Sequence, residues 1–221
     1  MASGHMLSHD QAKRYYDVLG AGLDRQGFFE GPPLRDLARH LDLEACKAVG
    51  EFGSGTGRFA EELLTSLLPQ GATYVGVDVS SVMVALAQKR LARFADRAEI
   101  LQSDGTIRID RPDSALDCLV SSFVMDLLSD TDIRLFLEEA HRLLRPGGQI
   151  GLVSLTKGST AASRAVTVMW SLLHRISPWI VGGCRPIEIS PFLKARQWQL
   201  EYRNIVTPYA LASEIVVARR L

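Results

Sequence analysis

Apolar residues follow two alternating periods along this chain. Short β-branched or aliphatic runs, bounded by glycines and acidic residues, alternate with stretches whose apolar positions fall three or four apart. The runs from Ala48 to Phe52, Thr73 to Val79, Ala98 to Ser103, Leu116 to Ser121 and Gln149 to Leu155 read as strands. Phe59 to Leu68, Val82 to Phe94 and Ile133 to Leu144 read as the helices between them. Phe59, Leu63, Leu64, Leu67 and Leu68 form the face that meets a sheet, and Arg145-Pro146-Gly147-Gly148 reads as a turn. This alternation implies right-handed crossovers and a parallel sheet. The tail differs. The runs from Gln199 to Val206 and Ser213 to Arg219 are joined by a link too short for a parallel crossover, so they pair antiparallel.

Two regions lie outside this alternation. From Asp10 to about Leu41, Tyr15, Tyr16, Val18 and Leu19 mark one helix. Gly31-Pro32-Pro33 is expected to stop the chain before a second helix with Leu34, Leu37, Ala38 and Leu41. From Thr156 to about Phe192, Val166, Met169, Trp170, Leu173 and Ile176 form an apolar stripe, and Gly182-Gly183 makes a hinge-like break. This segment is longer than a crossover needs and reads as a lid or substrate wall; the alternative is a helix that buries its stripe in the core or in a dimer. No repeat or linker interrupts the chain. A single domain over 1–221 is expected, with residues 7–45 as a helical cap, 156–192 as the lid, and Met1–Met6 as an expression scar.

Composition narrows the function. The 221 residues are 47% hydrophobic, enough for one sizeable core. Lys+Arg and Asp+Glu both number 25, and without a basic surplus nucleic acid is not an expected partner. Cys46, Cys118 and Cys184 are widely spaced and form no metal-type pair, so no metal is expected, and reduced thiols point to a cytoplasmic protein. No apolar run approaches the roughly 20 residues of a membrane span.

The chemistry begins at Val49-Gly50-Glu51-Phe52-Gly53-Ser54-Gly55-Thr56-Gly57-Arg58, a strand end, a glycine turn and a helix start. Such an element holds a nucleotide-like ligand at a helix N-terminus. The dinucleotide fingerprint requires G-x-G-x-x-G or a closing alanine, whereas Arg58 stands at the closing position here. Asp78 ends the second strand, where a carboxylate can accept ribose hydroxyls of either an NAD-type or another nucleoside ligand. Asp104-Gly105 follows the third strand, and Ser121-Ser122-Phe123 closes the fourth.

The spaced glycines with Glu51 before them resemble motif I of the class I S-adenosylmethionine (SAM)-dependent methyltransferases. Asp78, Asp104-Gly105, the run from Leu116 to Leu128 and Leu143-Leu144-Arg145-Pro146-Gly147-Gly148 extend the resemblance over about Ala48 to Leu155. The chain is similar to the small-molecule type, as in ubiquinone and menaquinone biosynthesis. The resemblance implies an α/β fold: a Rossmann-like three-layer sandwich with a seven-stranded, mostly parallel sheet and an antiparallel last strand. It implies SAM as cofactor and S-adenosylhomocysteine as product. Gly53, Ser54, Gly55 and Gly57 would wrap the methionine part, and Glu51 would attract its ammonium. Asp78, with Val79 beside it, would take the ribose; Asp104 would meet the adenine amine, with Gly105 leaving room and Met83 over the ring. Ser122 and Phe123 would face the cofactor, and Tyr16, with Tyr15 close behind, would reach its carboxylate.

The acceptor is less marked. The fourth strand lacks the Asn/Asp-Pro-Pro-Tyr/Phe sequence of enzymes that methylate base amines, and many small-molecule relatives carry a His where this chain has Asp126. Asp126, His174 and Tyr15 are the catalytic candidates, and none stands out. The expected reaction is methyl transfer to a small, partly apolar or lipid-like acceptor, with N, O, S and C nucleophiles all open. The alternatives are a non-catalytic SAM-binding module acting through a partner, a lipid methyltransferase at a membrane surface, and an NAD-dependent oxidoreductase, which Arg58 and the reversed tail oppose. A monomer or homodimer with at most weak peripheral membrane contact is expected.

Overall fold

The computed structural model describes residues 7–221, so the expected expression scar, Met1–Met6, lies outside the described residues. The strands are β1 (Ala48–Phe52), β2 (Thr73–Asp78), β3 (Ala98–Gln102), β4 (Leu116–Ser122), β5 (Leu144–Leu155), β6 (Trp198–Val206) and β7 (Ser213–Arg220). They form one sheet of order β3-β2-β1-β4-β5-β7-β6. The first five pair in parallel, and β7 inserts between β5 and β6, antiparallel to both. The seven-stranded, mostly parallel sheet with a reversed last strand is therefore present.

The helices are α1 (His9–Leu19), α2 (Gly27–His40), α3 (Arg58–Glu62, running on as a π turn to Leu67), α4 (Ser81–Arg90), α5 (Asp130–Leu143) and α6 (Ala161–Ile176). Successive strand residues feed opposite faces of the sheet. Val217 joins Leu37, Val49, Leu63 and Ala87 in one apolar layer, while Val216 joins Leu119, Ile133, Phe136 and Ile150 in the other.

Three local expectations are corrected. Pro32 and Pro33 lie inside α2 and do not end it. They deprive the Phe28 and Phe29 carbonyls of helical donors, but burial of Phe29, Pro33, Leu34 and Leu37 keeps the helix on the sheet. The stretch Arg145-Pro146-Gly147-Gly148 belongs to an irregular start of β5. The register jumps there from Leu116 opposite Leu144 to Cys118 opposite Gln149, a bulge that absorbs the expected turn. In α6 the expected stripe divides: Val166, Trp170 and Leu173 are half-buried, Met169 and Ile176 are exposed, and the buried residues are Ser163 and His174.

Close approach of α3 to α4 depends on Gly57. It precedes α3 at φ +75°, and a Cβ there would sit 3.1 Å from the Ala87 Cα. Gly57→Ala is expected to cost about 1–3 kcal/mol through the strained φ and the contact, read by urea unfolding. An unchanged midpoint would show that the two helices can separate freely.

Candidate active site

A cavity of about 450 Å³ opens at the carboxyl ends of β1, β2 and β4, within the size range of small-molecule sites. Ligands of open α/β sheets bind at this edge, where the strand order reverses between β1 and β4. The glycine turn forms its floor. Gly53 and Ser54 donate their backbone N–H groups to the Val77 carbonyl at 2.8 and 3.1 Å. The Gly55 N–H donates to the Asp78 carboxylate at 2.8 Å, and the other Asp78 oxygen accepts from the Ser80 N–H at 2.9 Å. Gly53 has φ +79°, and a Cβ there would lie 2.2 Å from the Val124 side chain. Burial pushes the Asp78 carboxyl up, while the Ser80, Gly55 and Val79 amides pull it back.

Glu51 is buried at the end of β1 and accepts the Tyr74 hydroxyl at 2.5 Å. Gly76 makes this contact possible, since a Cβ there would stand 2.9 Å from the Tyr74 oxygen. Burial pushes the Glu51 carboxyl up to about 8; the Tyr74 hydrogen bond lowers it and the Asp78 charge raises it further. Glu51 thus keeps its proton at neutral pH, and a cation placed beside it would favour the carboxylate.

The N-terminal segment covers the floor through three carboxylates. Asp17 accepts from the Ser80 hydroxyl at 2.6 Å, and that hydroxyl caps α4 by accepting the Met83 N–H. Asp24 accepts from the Thr56 hydroxyl at 2.5 Å and pairs with Arg90. Glu30 pairs with Arg58 at 2.6 Å. Burial nevertheless outweighs the Arg58 charge and pushes the Glu30 carboxyl up to about 7. Phe29 packs edge-on against Phe123 with ring centroids 5.8 Å apart. Phe123 holds φ +55°, a region bulky residues rarely adopt, with its N–H donated to the Val153 carbonyl at 2.8 Å.

Tyr15, Tyr16, Glu51, Gly53, Ser54, Gly55, Asp78, Val79, Met83, Gly105, Ser122 and Phe123 all line the cavity. Four expected residues do not. Gly57 serves helix packing, as described above. Asp104 is exposed, and its carboxylate closes its own loop by accepting the Thr106 N–H at 2.9 Å; Ser103, Gly105, Thr106 and Ile107 form that edge of the cavity. Asp126 is fully buried behind the wall, accepting the Leu155 N–H at 3.3 Å, and burial pushes its carboxyl up to about 7. His174 turns from α6 toward Gly183, and burial lowers its basicity. Asp126 and His174 are thereby corrected as candidates for direct contact with an acceptor. Sequence reasoning missed Tyr74, Thr56, Asp24, Arg90 and Glu30 as residues of the site. Only Tyr74 carried a signal, a hydroxyl two residues from a strand glycine.

The methyltransferase domain family matches residues 49–148, the stretch that builds the floor and β4. This match, with the methyltransferase relatives, supports a class I SAM-dependent methyltransferase. It is 32% identical over 115 residues to an arsenite methyltransferase of Aquipseudomonas alcaligenes, covering 49% of this chain and 32% of that protein. It is 26% identical over 197 residues to a hybrid PKS-NRPS synthetase of Penicillium citrinum, covering 88% of this chain and 5% of the synthetase. The chain thus spans less than half the length of these two curated relatives. The N-methyltransferase NodS of Bradyrhizobium japonicum, solved with S-adenosylhomocysteine, superposes with a TM-score of 0.71 over 95% of this chain and 98% of NodS at 17% identity.

SAM is the cofactor of this methyltransferase family, and the residues present fit it. The glycine turn leaves the close backbone surface that a Cβ at 53 would fill, and buried Glu51 faces the cavity as a counter-charge for an ammonium. Among the described residues no group of His, Cys, Asp or Glu could hold a metal ion, and no helix is long and apolar enough to cross a membrane.

Glu51 gives a pH signature. In the unfolded chain it ionises near 4.5, whereas folded it holds its proton to about 8. Between these values the native state binds the extra proton, so raising the pH weakens the fold through this residue by up to about 1.4 kcal/mol per pH unit. Glu51→Gln removes that slope while keeping an acceptor for Tyr74. The variant is expected to gain stability relative to the parent as pH rises across the window, measured by urea unfolding of ligand-free protein. A constant difference would mean that Glu51 ionises normally.

Proposed function

We propose that this chain transfers the SAM methyl group to a small, largely apolar organic acceptor. The observation that carries the reading is the continuity of the cavity. Its polar floor over β1 and β2 runs on into a wall of Phe28, Phe29, Leu127, Trp170, Ile180 and Leu211. Bound SAM supplies an electrophilic methyl carbon on a sulfonium. The chain's own part is to hold and align: Glu51 for the ammonium, the turn at 53–55 for the methionine part, Asp78 for the ribose, and the apolar wall for an acceptor kept out of water. Alignment of this kind is worth up to roughly 7–11 kcal/mol of barrier.

The two curated relatives are named for arsenite methylation and for hybrid PKS-NRPS synthesis, and the wall favours an organic acceptor. Cys46 and Cys118 are buried in the core, and Cys184 alone reaches the cavity, so there is no group of thiols to grip arsenic. Where the acceptor must lose a proton, Glu30 is the best-placed carboxyl. It lines the cavity beside Phe28 and Phe29, and its affinity for a proton suits exchange near neutral pH. Tyr15 is the second choice.

Calorimetric titration with SAM, followed by transfer of labelled methyl into extract fractions sorted by polarity, tests the reading. Binding and label in the apolar fractions are expected; absence of SAM binding at millimolar concentration would sink it. Glu30→Gln is expected to leave SAM affinity nearly unchanged and to lower kcat roughly 100-fold. The parent's kcat should rise through about pH 7 as Glu30 ionises, and the variant should lose that rise. An unaltered pH profile would move the role to Tyr15.

A further inference from the structure

Helix α6 is oriented against the usual rule for an amphipathic helix. Its buried side chains are Ser163 and His174, while Val168, Met169, Leu172 and Ile180 just beyond it are more than half exposed and Ile176 is 76% exposed. Trp179 extends the patch. Positions 168, 169, 172 and 176 share one helical face, so the apolar side chains make a continuous surface. The same segment forms part of the cavity wall through Trp170 and Ile180, so the patch borders the apolar half of the site.

Charge distinguishes between occupants for this face. The whole chain is neutral, yet from Thr156 to Ile187 it carries Lys157, Arg164, Arg175 and Arg185 and no Asp or Glu. Lys157 pairs with Glu188 at 3.0 Å and Arg185 with Asp130 at 2.8 Å. Arg164 and Arg175 are exposed, make no ion pair among the described residues, and bracket the apolar face at its two ends. A two-fold contact with a second copy would set this face against itself, bringing arginines together with no carboxylate in the segment to neutralise them. An anionic lipid surface meets both features at once, taking the aliphatic side chains into its interface and the guanidinium groups at its phosphates.

We propose that the exposed face of α6 with Trp179 and Ile180 docks on an anionic bilayer surface, setting the apolar wall of the cavity next to the lipid. An apolar acceptor could then pass from lipid to cavity without crossing bulk water. Docking itself does not rest on methyl transfer, and SAM titration of the same variants keeps the two questions apart.

The test is flotation of the full chain with phosphatidylcholine vesicles and with vesicles that also contain phosphatidylglycerol. The protein should rise with the anionic vesicles at low ionic strength, rise less with the neutral ones, and be released by salt. Leu172→Asn with Ile176→Asn, both at exposed positions, should keep the parent's melting temperature and SAM affinity but partition roughly 100-fold less, about tenfold for each side chain. Arg164→Glu with Arg175→Glu should remove the preference for anionic vesicles. Failure of the parent to float with anionic vesicles, or equal flotation of the asparagine variant, overturns the proposal. Light scattering that shows a dimer dissolved by the same asparagines also overturns it, assigning the face to contact between copies.

Discussion

The turn after β1 is bonded to the end of β2 as well as to itself. Two of its amides reach the Val77 carbonyl and a third reaches Asp78. This stitching fixes the height and tilt of the glycines, and with them the floor of the site. It works only because the backbone can press against its neighbours, Val124 on one side and Ala87 on the other. Side chains at 53 or 57 would wedge β1 and β4 or α3 and α4 apart. The order β2-β1-β4 then sets every other element around one opening.

Burial is the second organising force. Glu51, Glu30 and Asp126 are all pushed toward neutrality by lost solvation, although Tyr74, Arg58 and the Leu155 amide each pull one of them back. Where solvent access is greater the balance reverses. Asp17 and Asp24, held by Ser80, Thr56 and Arg90, sit below the usual carboxylate range and keep their charge. The N-terminal segment is thus fastened by charged contacts at its rim and closed by apolar ones inside, where Phe29 meets the strained Phe123.

Much of this was legible in the sequence because it depends on local chemistry. Strand–helix alternation, three spaced glycines and an acid at each of two strand ends are short-range patterns, and they located the sheet and the cavity floor. Contacts that join distant positions left no such trace. Asp24 and Arg90, 66 residues apart, look like ordinary surface charges until the fold brings them together. Asp104 was ambiguous for the opposite reason: a strand-end acid followed by glycine is also a good loop closer, and here its carboxylate accepts the nearby Thr106 amide. Pro32 and Pro33 read as a helix stop because propensity is local, whereas packing of α2 on the sheet is not. The direction of α6 was ambiguous because an apolar stripe does not say whether core or another surface covers it.

Asp78 braces the glycine turn with the same carboxylate that faces the cavity. Scaffold and cavity lining are fused at that position, so few substitutions there could spare both. The wall of Phe28, Trp170, Ile180 and Leu211 has the opposite character, since its side chains come from separate segments and none holds two strands together. Such a wall can be exchanged piece by piece while the floor stays constant. One inherited scaffold can in this way acquire new acceptors without renegotiating its donor.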